Sequence, residues 1–272
     1  MHRCPEADGI KVVASKVLNA SFCNIRIWQV RNVKIRLLIR RDSGLSPVIL
    51  KNDLSIKAIL FDMDGVLIDS APAVERVWRK WALQYGLNPD GVVEQAHGRR
   101  SIETIRAVAP HMDAETENVI LEQMEVEDRE GVIALPGAPE LLRTLPPERF
   151  AIVTSATCPL ALARLGYAGL PVPKHIITAD DVIEGKPSPE PFLKGAELLG
   201  FSPADCLVFE DTPAGIAAAR SAGMKVVALQ TTYPVTELHA ADAIVASLDD
   251  VKAELRRKMI ELSLSAVASP RS

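Results

Sequence analysis

The sequence predicts an α/β fold, a parallel sheet covered by helices on both faces and interrupted after its first strand by an all-helical insert. Three observations predict it. Short apolar runs ending in polar or acidic residues recur from residue 57 onward, amphipathic stretches separate them, and the gap between the first two runs holds no convincing strand. Strand and helix in alternation imply parallel strands, because each crossover needs room for a helix. Such strands are buried on both faces, so they read as continuous apolar runs rather than as alternating ones.

Residues 1–53 carry ten Lys/Arg and four Asp/Glu, a balance of +6 against −10 for the remainder. The stretch RIWQVRNVKIRLLIRR alternates well enough for a short strand but has no companion elements. As a nucleic-acid arm it lacks aromatic or Gly-rich interleaving, and as a targeting peptide it would be free of acids and helical. A peripheral N-terminal extension is expected. Lys57-Ala-Ile-Leu-Phe-Asp62 then reads as the first buried strand. The insert follows. Val74, Val77, Trp78, Trp81 and Tyr85 keep helical spacing, with Gly86 as a stop. Ser101 is expected to cap a helix carrying Ile102, Ile105 and Val108, and Asp113 another running to about Arg129. The Trp pair reads as core packing. Gly65 to Ser70 and Leu135-Pro-Gly137 would be the hinges of a lid.

Beyond the insert, Phe150–Ser155, Cys206–Asp211 and Lys225–Leu229 repeat the strand form, and His175–Thr178 and Ala243–Ala246 are weaker copies. Helices are expected over 159–165, 190–199 and 213–222, the last stopped by Gly223. The expected organisation is an extension over 1–53, a core over 54–69 and 136–255, a helical cap over 70–135, and a C-terminal tail over 256–272.

Composition narrows the function. With 48% apolar and 24% charged residues the chain can bury a core. No apolar run approaches the roughly 20 residues of a membrane helix, and no signal peptide is visible, so no membrane partner is expected. A net charge of −4 gives no reason to expect nucleic acid, and 4% aromatics argues against a stacking surface. Cys4, Cys23, Cys158 and Cys206 form no CxxC pair, which points to a reduced, cytoplasmic setting. A monomer is expected.

Ligands of open parallel sheets bind beyond the carboxyl ends of the strands. Here those ends carry Asp62 and Asp64 in Phe61-Asp-Met-Asp-Gly65, Ser155 and Thr157 in Thr154-Ser-Ala-Thr157, Lys186 in Gly185-Lys-Pro187, and Glu210 with Asp211 in Phe209-Glu-Asp-Thr-Pro213. Each has a bland reading alone: a turn acid, a helix cap, a solvated loop lysine. Together, in this order and each at a strand end, they form a set. Carboxylates crowded in one cleft repel, and a hard divalent cation relieves the conflict. Oxygen ligands without Cys or His point to Mg²⁺, which binds through one or two carboxylates and a substrate phosphate. Lys186, Ser155 and the backbone at Ala156 suit a phosphate dianion. A free carboxylate can then attack phosphorus while a second moves the proton.

These motifs resemble the haloacid dehalogenase (HAD) superfamily of phosphatases, over residues 57 to about 250 and in the superfamily's motif order. The resemblance implies a HAD-like (Rossmann-like) core with an inserted helical cap. It implies Asp62 as nucleophile, Asp64 as general acid/base, Ser155 in the second motif, Lys186 in the third, and Glu210 with Asp211 in the fourth. Mg²⁺ would be held by the Asp62 carboxylate, the Asp64 backbone carbonyl and Asp211, with Glu210 beside it. The dehalogenases lack the second acid of the DxD, so the presence of Asp64 favours phosphoryl chemistry.

His97-Gly-Arg-Arg100 with Glu103-Thr-Ile105, Thr178-Ala-Asp-Asp181, Gly185–Phe192 and Phe209–Ile216 are similar to the subgroup that includes glycerol-phosphate and 2-deoxyglucose-6-phosphate phosphatases. That resemblance implies a small phosphorylated sugar or polyol as substrate, with Arg99 or Arg100 facing the site from the cap; a solvated helix start is the other reading of the pair. The rival is β-phosphoglucomutase, which shares core and cap. Those mutases carry a His where this chain has Val74 and a phosphate-binding Arg where it has Ser101. A phosphoacceptor signalling domain would be shorter, uncapped and opposite in motif order. A non-catalytic scaffold would be expected to lack Asp62, Asp64 or Lys186.

Overall fold

The computed structural model describes residues 24–30, 33–39, 54–96 and 98–265. Strands β1 (Asn24–Val30) and β2 (Val33–Ile39) pair antiparallel with each other and with no other described strand. The basic stretch expected to lack a companion therefore supplies both partners itself. The other residues of 1–53, and His97 of the cap motif, lie outside the described residues.

Strand β3 (Leu54–Ile56) is followed by β4 (Ala58–Phe61), all four of whose side chains are buried. A short strand β5 (Ile68–Asp69) leads into helices α1 (Ala71–Gln84), α2 (Pro89–Ala96), α3 (Ser101–Val108) and α4 (Ala114–Glu127). After β6 (Ile133–Ala134) come α5 (Ala138–Thr144), β7 (Phe150–Val153), α6 (Cys158–Tyr167) and β8 (Ile176–Ile177). Then follow α7 (Glu190–Leu199), β9 (Cys206–Glu210), α8 (Pro213–Ser221), β10 (Lys225–Leu229) and β11 (Ala243–Val245). The last elements are β12 (Val251–Arg256) and β13 (Met259–Leu264).

Six strands form one sheet in the order β11-β10-β9-β4-β7-β8, every neighbouring pair parallel. This is the α/β sheet the sequence predicts. The chain leaves β4 toward β7 and β8, returns on the other flank at β9, and continues to β10 and β11. Such a reversal opens a crevice beyond the strand ends. Alternate residues serve opposite faces: Ile59 and Phe61 pack with Leu141, Leu160 and Leu165 from α5 and α6. Leu60, Val153 and Val208 pack with Phe192 of α7 and Ile216 of α8.

The insert has its own core of Val77, Trp78, Trp81, Val92, Ile105 and Leu121. Trp78 and Trp81 meet edge to face at 5.7 Å, in keeping with the packing role expected of them. Helix α2 was not expected from the sequence. Ser101 is the first residue of α3 rather than its cap; Arg100 occupies the cap position without a side-chain capping bond. The first expected hinge contains strand after all: β5 pairs antiparallel with β6, which lies just ahead of the second hinge, Ile68 opposite Ala134 and Asp69 opposite Ile133. Two-residue strands show no periodicity of their own.

The expected tail over 256–272 is corrected. Strand β13 lies between β12 and β3 in a three-stranded antiparallel sheet, with Ile260, Leu262 and Leu264 buried. Its alternation Met-Ile-Glu-Leu-Ser-Leu is that of a strand with one wet face, and the turn before it uses Arg257 and Lys258 at positive φ, where glycine would be the usual signal. Among the described residues no helix is long and apolar enough to cross a membrane. Leu262→Ala should cost about 2–5 kcal/mol in urea unfolding, the usual range for a buried Leu truncated to Ala. A loss below about 0.5 kcal/mol would separate this sheet from the cooperative fold.

Candidate active site

Strands β4 and β9 run side by side, and the residues just past Phe61 and at the end of β9 are both acids. The Asp62 N–H donates to the Phe209 carbonyl at 2.9 Å, extending the ladder by one rung and setting Asp62 beside Glu210. Lys186, 3% exposed, sends its ammonium between them: it bonds Asp62 Oδ1 and, at 2.6 Å, Glu210 Oε1. Burial pushes the Asp62 carboxyl up to about 7; Lys186 opposes the rise, while Glu210 and Asp64 add to it. Burial works to lower the Lys186 pKa, but its two carboxylate partners outweigh burial and hold it above the ordinary value.

Glu210 is fully buried and both its oxygens are taken. Oε2 accepts from the N–H groups of Asp211 (2.7 Å) and Thr212 (2.8 Å) and from the Thr212 hydroxyl (3.0 Å). Glu210, expected among the metal ligands, keeps a carboxylate oxygen within reach of those of Asp62 and Asp211 but shares its Oε1 with Lys186. Its place in the fourth motif is that of an anchor for Lys186 and for the turn into α8. Asp211 differs: Oδ2 accepts from Thr232, but Oδ1 is buried with no partner. Burial first, then Glu210 and Asp62, push its carboxyl well above the usual range. Gly65 makes the close approach possible. It sits at φ +79°, and a Cβ there would run into the Asp211 carboxylate.

Asp64 lies one residue beyond Met63 and faces the cap. Ser70, at the start of α1, donates to its Oδ1 at 2.6 Å, and Arg164 of α6 approaches its Oδ2 at 3.1 Å. The other side of that guanidinium meets Glu125 of α4 at 3.2 Å. Burial pushes the Glu125 carboxyl up, against the pull of Arg164.

A cavity of about 410 Å³ between cap and core is bordered by Asp62, Asp64, Asp211, Ser155, Ala156 and Arg99. Trp78 closes its cap side. The size falls in the range of ~300–1,000 Å³ typical of small-molecule sites. The Ser155 hydroxyl lies 3.4 Å from the Gly98 carbonyl, and the Ala156 N–H donates to the Thr154 hydroxyl at 3.1 Å. Lys186 stands behind Asp62 rather than on the wall. Of the two cap arginines only Arg99 borders the cavity. Arg100, the alternative to it as a substrate contact, instead bonds Glu103 and the carbonyls of Val182 (3.3 Å) and Ile183 (3.0 Å), latching the cap to the loop before Lys186.

The sequence reading missed Ser70, Arg164, Glu125, Thr231 and Thr232. The two threonines follow β10 and were open to the strand-end rule. Arg164 falls on the buried stripe of Leu160, Ala161 and Leu165, and Glu125 follows Leu121 by four residues. A charge at a core position was the available signal.

The haloacid dehalogenase-like hydrolase family profile matches residues 56–223. The chain belongs to the haloacid dehalogenase-like hydrolase family. Hexitol phosphatase A of Escherichia coli is 42% identical over 200 residues, covering 72% of this chain and 93% of that protein. Glycerol-1-phosphate phosphohydrolase 2 of Saccharomyces cerevisiae is 36% identical over 213 residues, covering 73% and 85%. Among solved structures, a β-phosphoglucomutase from Clostridium difficile matches with a TM-score of 0.61 at 27% identity, covering 72% of this chain and 93% of that one.

The family's expected Mg²⁺ can be tested against the donor set. Carboxylate oxygens of Asp62, Glu210 and Asp211 lie within 4.8 Å of one another, and the unpartnered Asp211 Oδ1 has no donor to satisfy it. Hard oxygen donors with no Cys or His suit Mg²⁺. Of the three, only Asp211 has a carboxylate oxygen buried with no partner, while Glu210 and Asp62 each share one with Lys186. Gly65→Ala should displace the Asp211 carboxylate and strain a left-handed residue by about 1–2 kcal/mol. Mg²⁺ affinity by calorimetry should fall at least tenfold; unchanged affinity would remove Asp211 from the metal set.

Proposed function

We propose that this chain is a Mg²⁺-dependent phosphatase that hydrolyses small sugar or polyol phosphates through an aspartyl-phosphate on Asp62. The observation that carries the reading is the convergence of Asp62, Asp64 and Asp211 on one cavity wall, with Lys186 held behind Asp62. An Asp62 oxygen attacks phosphorus and the bond to the alcohol breaks, while Asp64 gives the leaving oxygen its proton. Asp64 then takes a proton from water as that water attacks the phosphoryl group, and phosphate leaves with Asp62 regenerated. Lys186 balances charge around Asp62, and Ser155 and the backbone at Ala156 hold the phosphate oxygens. Mg²⁺, held by the Asp62 carboxylate, the Asp64 carbonyl and Asp211, would neutralise charge as the phosphoryl group transfers. Arg99 reaches the substrate from the cap.

The substrate class follows from relatives whose names are those of hexitol and glycerol phosphate phosphatases. The mutase alternative is disfavoured by the cap. Val74 and Ser101 both border the cavity, at the positions where the resemblance puts a His and an Arg in the mutases. Neither carries a charge.

Asp62→Asn should keep the wild-type melting profile and lose at least about 10³-fold in phosphate release, since an amide does not attack phosphorus. Thorough EDTA treatment should abolish wild-type turnover and added Mg²⁺ restore it; survival under EDTA would refute the metal assignment. On a panel of phosphorylated sugars and polyols the enzyme should release free phosphate. Conversion of a glucose 1-phosphate isomer to glucose 6-phosphate without free phosphate would favour the mutase.

A further inference from the structure

Two buried charges have no task in the reaction as written. Arg164 is 6% exposed and Glu125 5%, each at a position where its helix otherwise buries apolar side chains. Burying a charge is costly unless a partner is held in good geometry, so a chain that keeps two of them here constrains something in return. What they constrain is visible in the contacts. One terminal nitrogen of Arg164 meets Asp64 Oδ2 at 3.1 Å and the other meets Glu125 Oε1 at 3.2 Å, while Ser70 donates to Asp64 Oδ1 at 2.6 Å. Asp64 is thus gripped from both oxygens, by the first turn of α1 and by a guanidinium whose far side is fixed by the cap helix α4. Each carboxyl oxygen has a second lone pair, so these bonds leave room for the proton Asp64 must carry.

We propose that Arg164 is a positioning residue for Asp64 and that Glu125 aligns it from across the seam between cap and core. The proposal rests on the reading of Asp64 as the acid/base. Arg164 and Glu125 both border the cavity, and Arg164 acts through Asp64, whose Oδ2 it meets, setting that side chain so that its oxygen faces the leaving alcohol. Proton transfer depends steeply on that alignment, whereas attack by Asp62 does not pass through Arg164. Loss of Arg164 or Glu125 should therefore slow departure of a poor leaving group and spare that of a good one, which needs little protonation.

The test uses full-length enzyme with Mg²⁺ and compares kcat/KM for a hexitol phosphate with that for p-nitrophenyl phosphate, since kcat/KM counts only steps through loss of the alcohol. Glu125→Gln and Arg164→Gln should each lower the hexitol value at least tenfold and the aryl value less than threefold. Arg164→Lys should recover part of the loss. Asp64→Asn should show the same asymmetry more strongly, and neither change should add to it in that background. Equal losses on both esters, no loss on the hexitol phosphate, or a further loss in the Asp64→Asn background would overturn the positioning role. If Asp64→Asn itself treats the two esters alike, the acid/base reading fails instead, and the positioning role falls with it. Glu125→Gln preserves shape, so it still separates these outcomes should Arg164→Gln melt below the assay temperature.

Discussion

The ammonium of Lys186 is what allows two acids to end neighbouring strands. Parallel pairing of β4 and β9 brings Asp62 and Glu210 together in a layer from which water is excluded. Two carboxylates so placed would otherwise repel or stay protonated. With Lys186 between them, Glu210 can remain an acceptor for the backbone of the Asp211–Thr212 turn, and that turn delivers Asp211 to the cavity. Removing Lys186 would leave both acids buried without their shared cation, whereas removing either acid leaves the other still paired with it.

Close packing around this cluster depends on residues with no side chain. At Gly65 a β-carbon would collide with Asp211, and at Gly215 with Glu210. The two positions lie in different segments, one following β4 and one in the first turn of α8. Both are set by the approach of a carboxylate, and the first by a left-handed backbone as well.

The parallel sheet and its polar strand ends were legible because each long strand is a self-contained apolar run and the acids at Asp62 and Glu210 follow or end it directly, whereas Lys186 arrives on a loop nine residues past β8. Elements whose reason for existing lies elsewhere in the chain were not. Strand β13 reads as a tail until β12 and β3 are placed beside it, and β5 and β6 are too short to show a period. Arg100 and Arg99 are indistinguishable in sequence, since the choice between latch and cavity depends on which way a helix start faces. Glu210 beside Asp211 poses the same problem: two adjacent acids, one consumed by backbone donors and one left with a free oxygen. Arg164 and Glu125 break the apolar pattern of their helices, and that irregularity could have marked them before any fold was known.

The pairing of β5 with β6 bears on how substrate enters. Both chain crossings between the helical insert and the sheet run through this narrow ribbon, with Ile68 opposite Ala134 and Asp69 opposite Ile133. Neither crossing can shift alone without breaking the ladder, so the four helices are tethered as a gate on one pin rather than as a flap on two loose straps. Ser70 is the next residue along the pin and grips Asp64. The placement of the insert and the side chain of Asp64 thus share one link, a single covalent step along the backbone from Asp69 to Ser70.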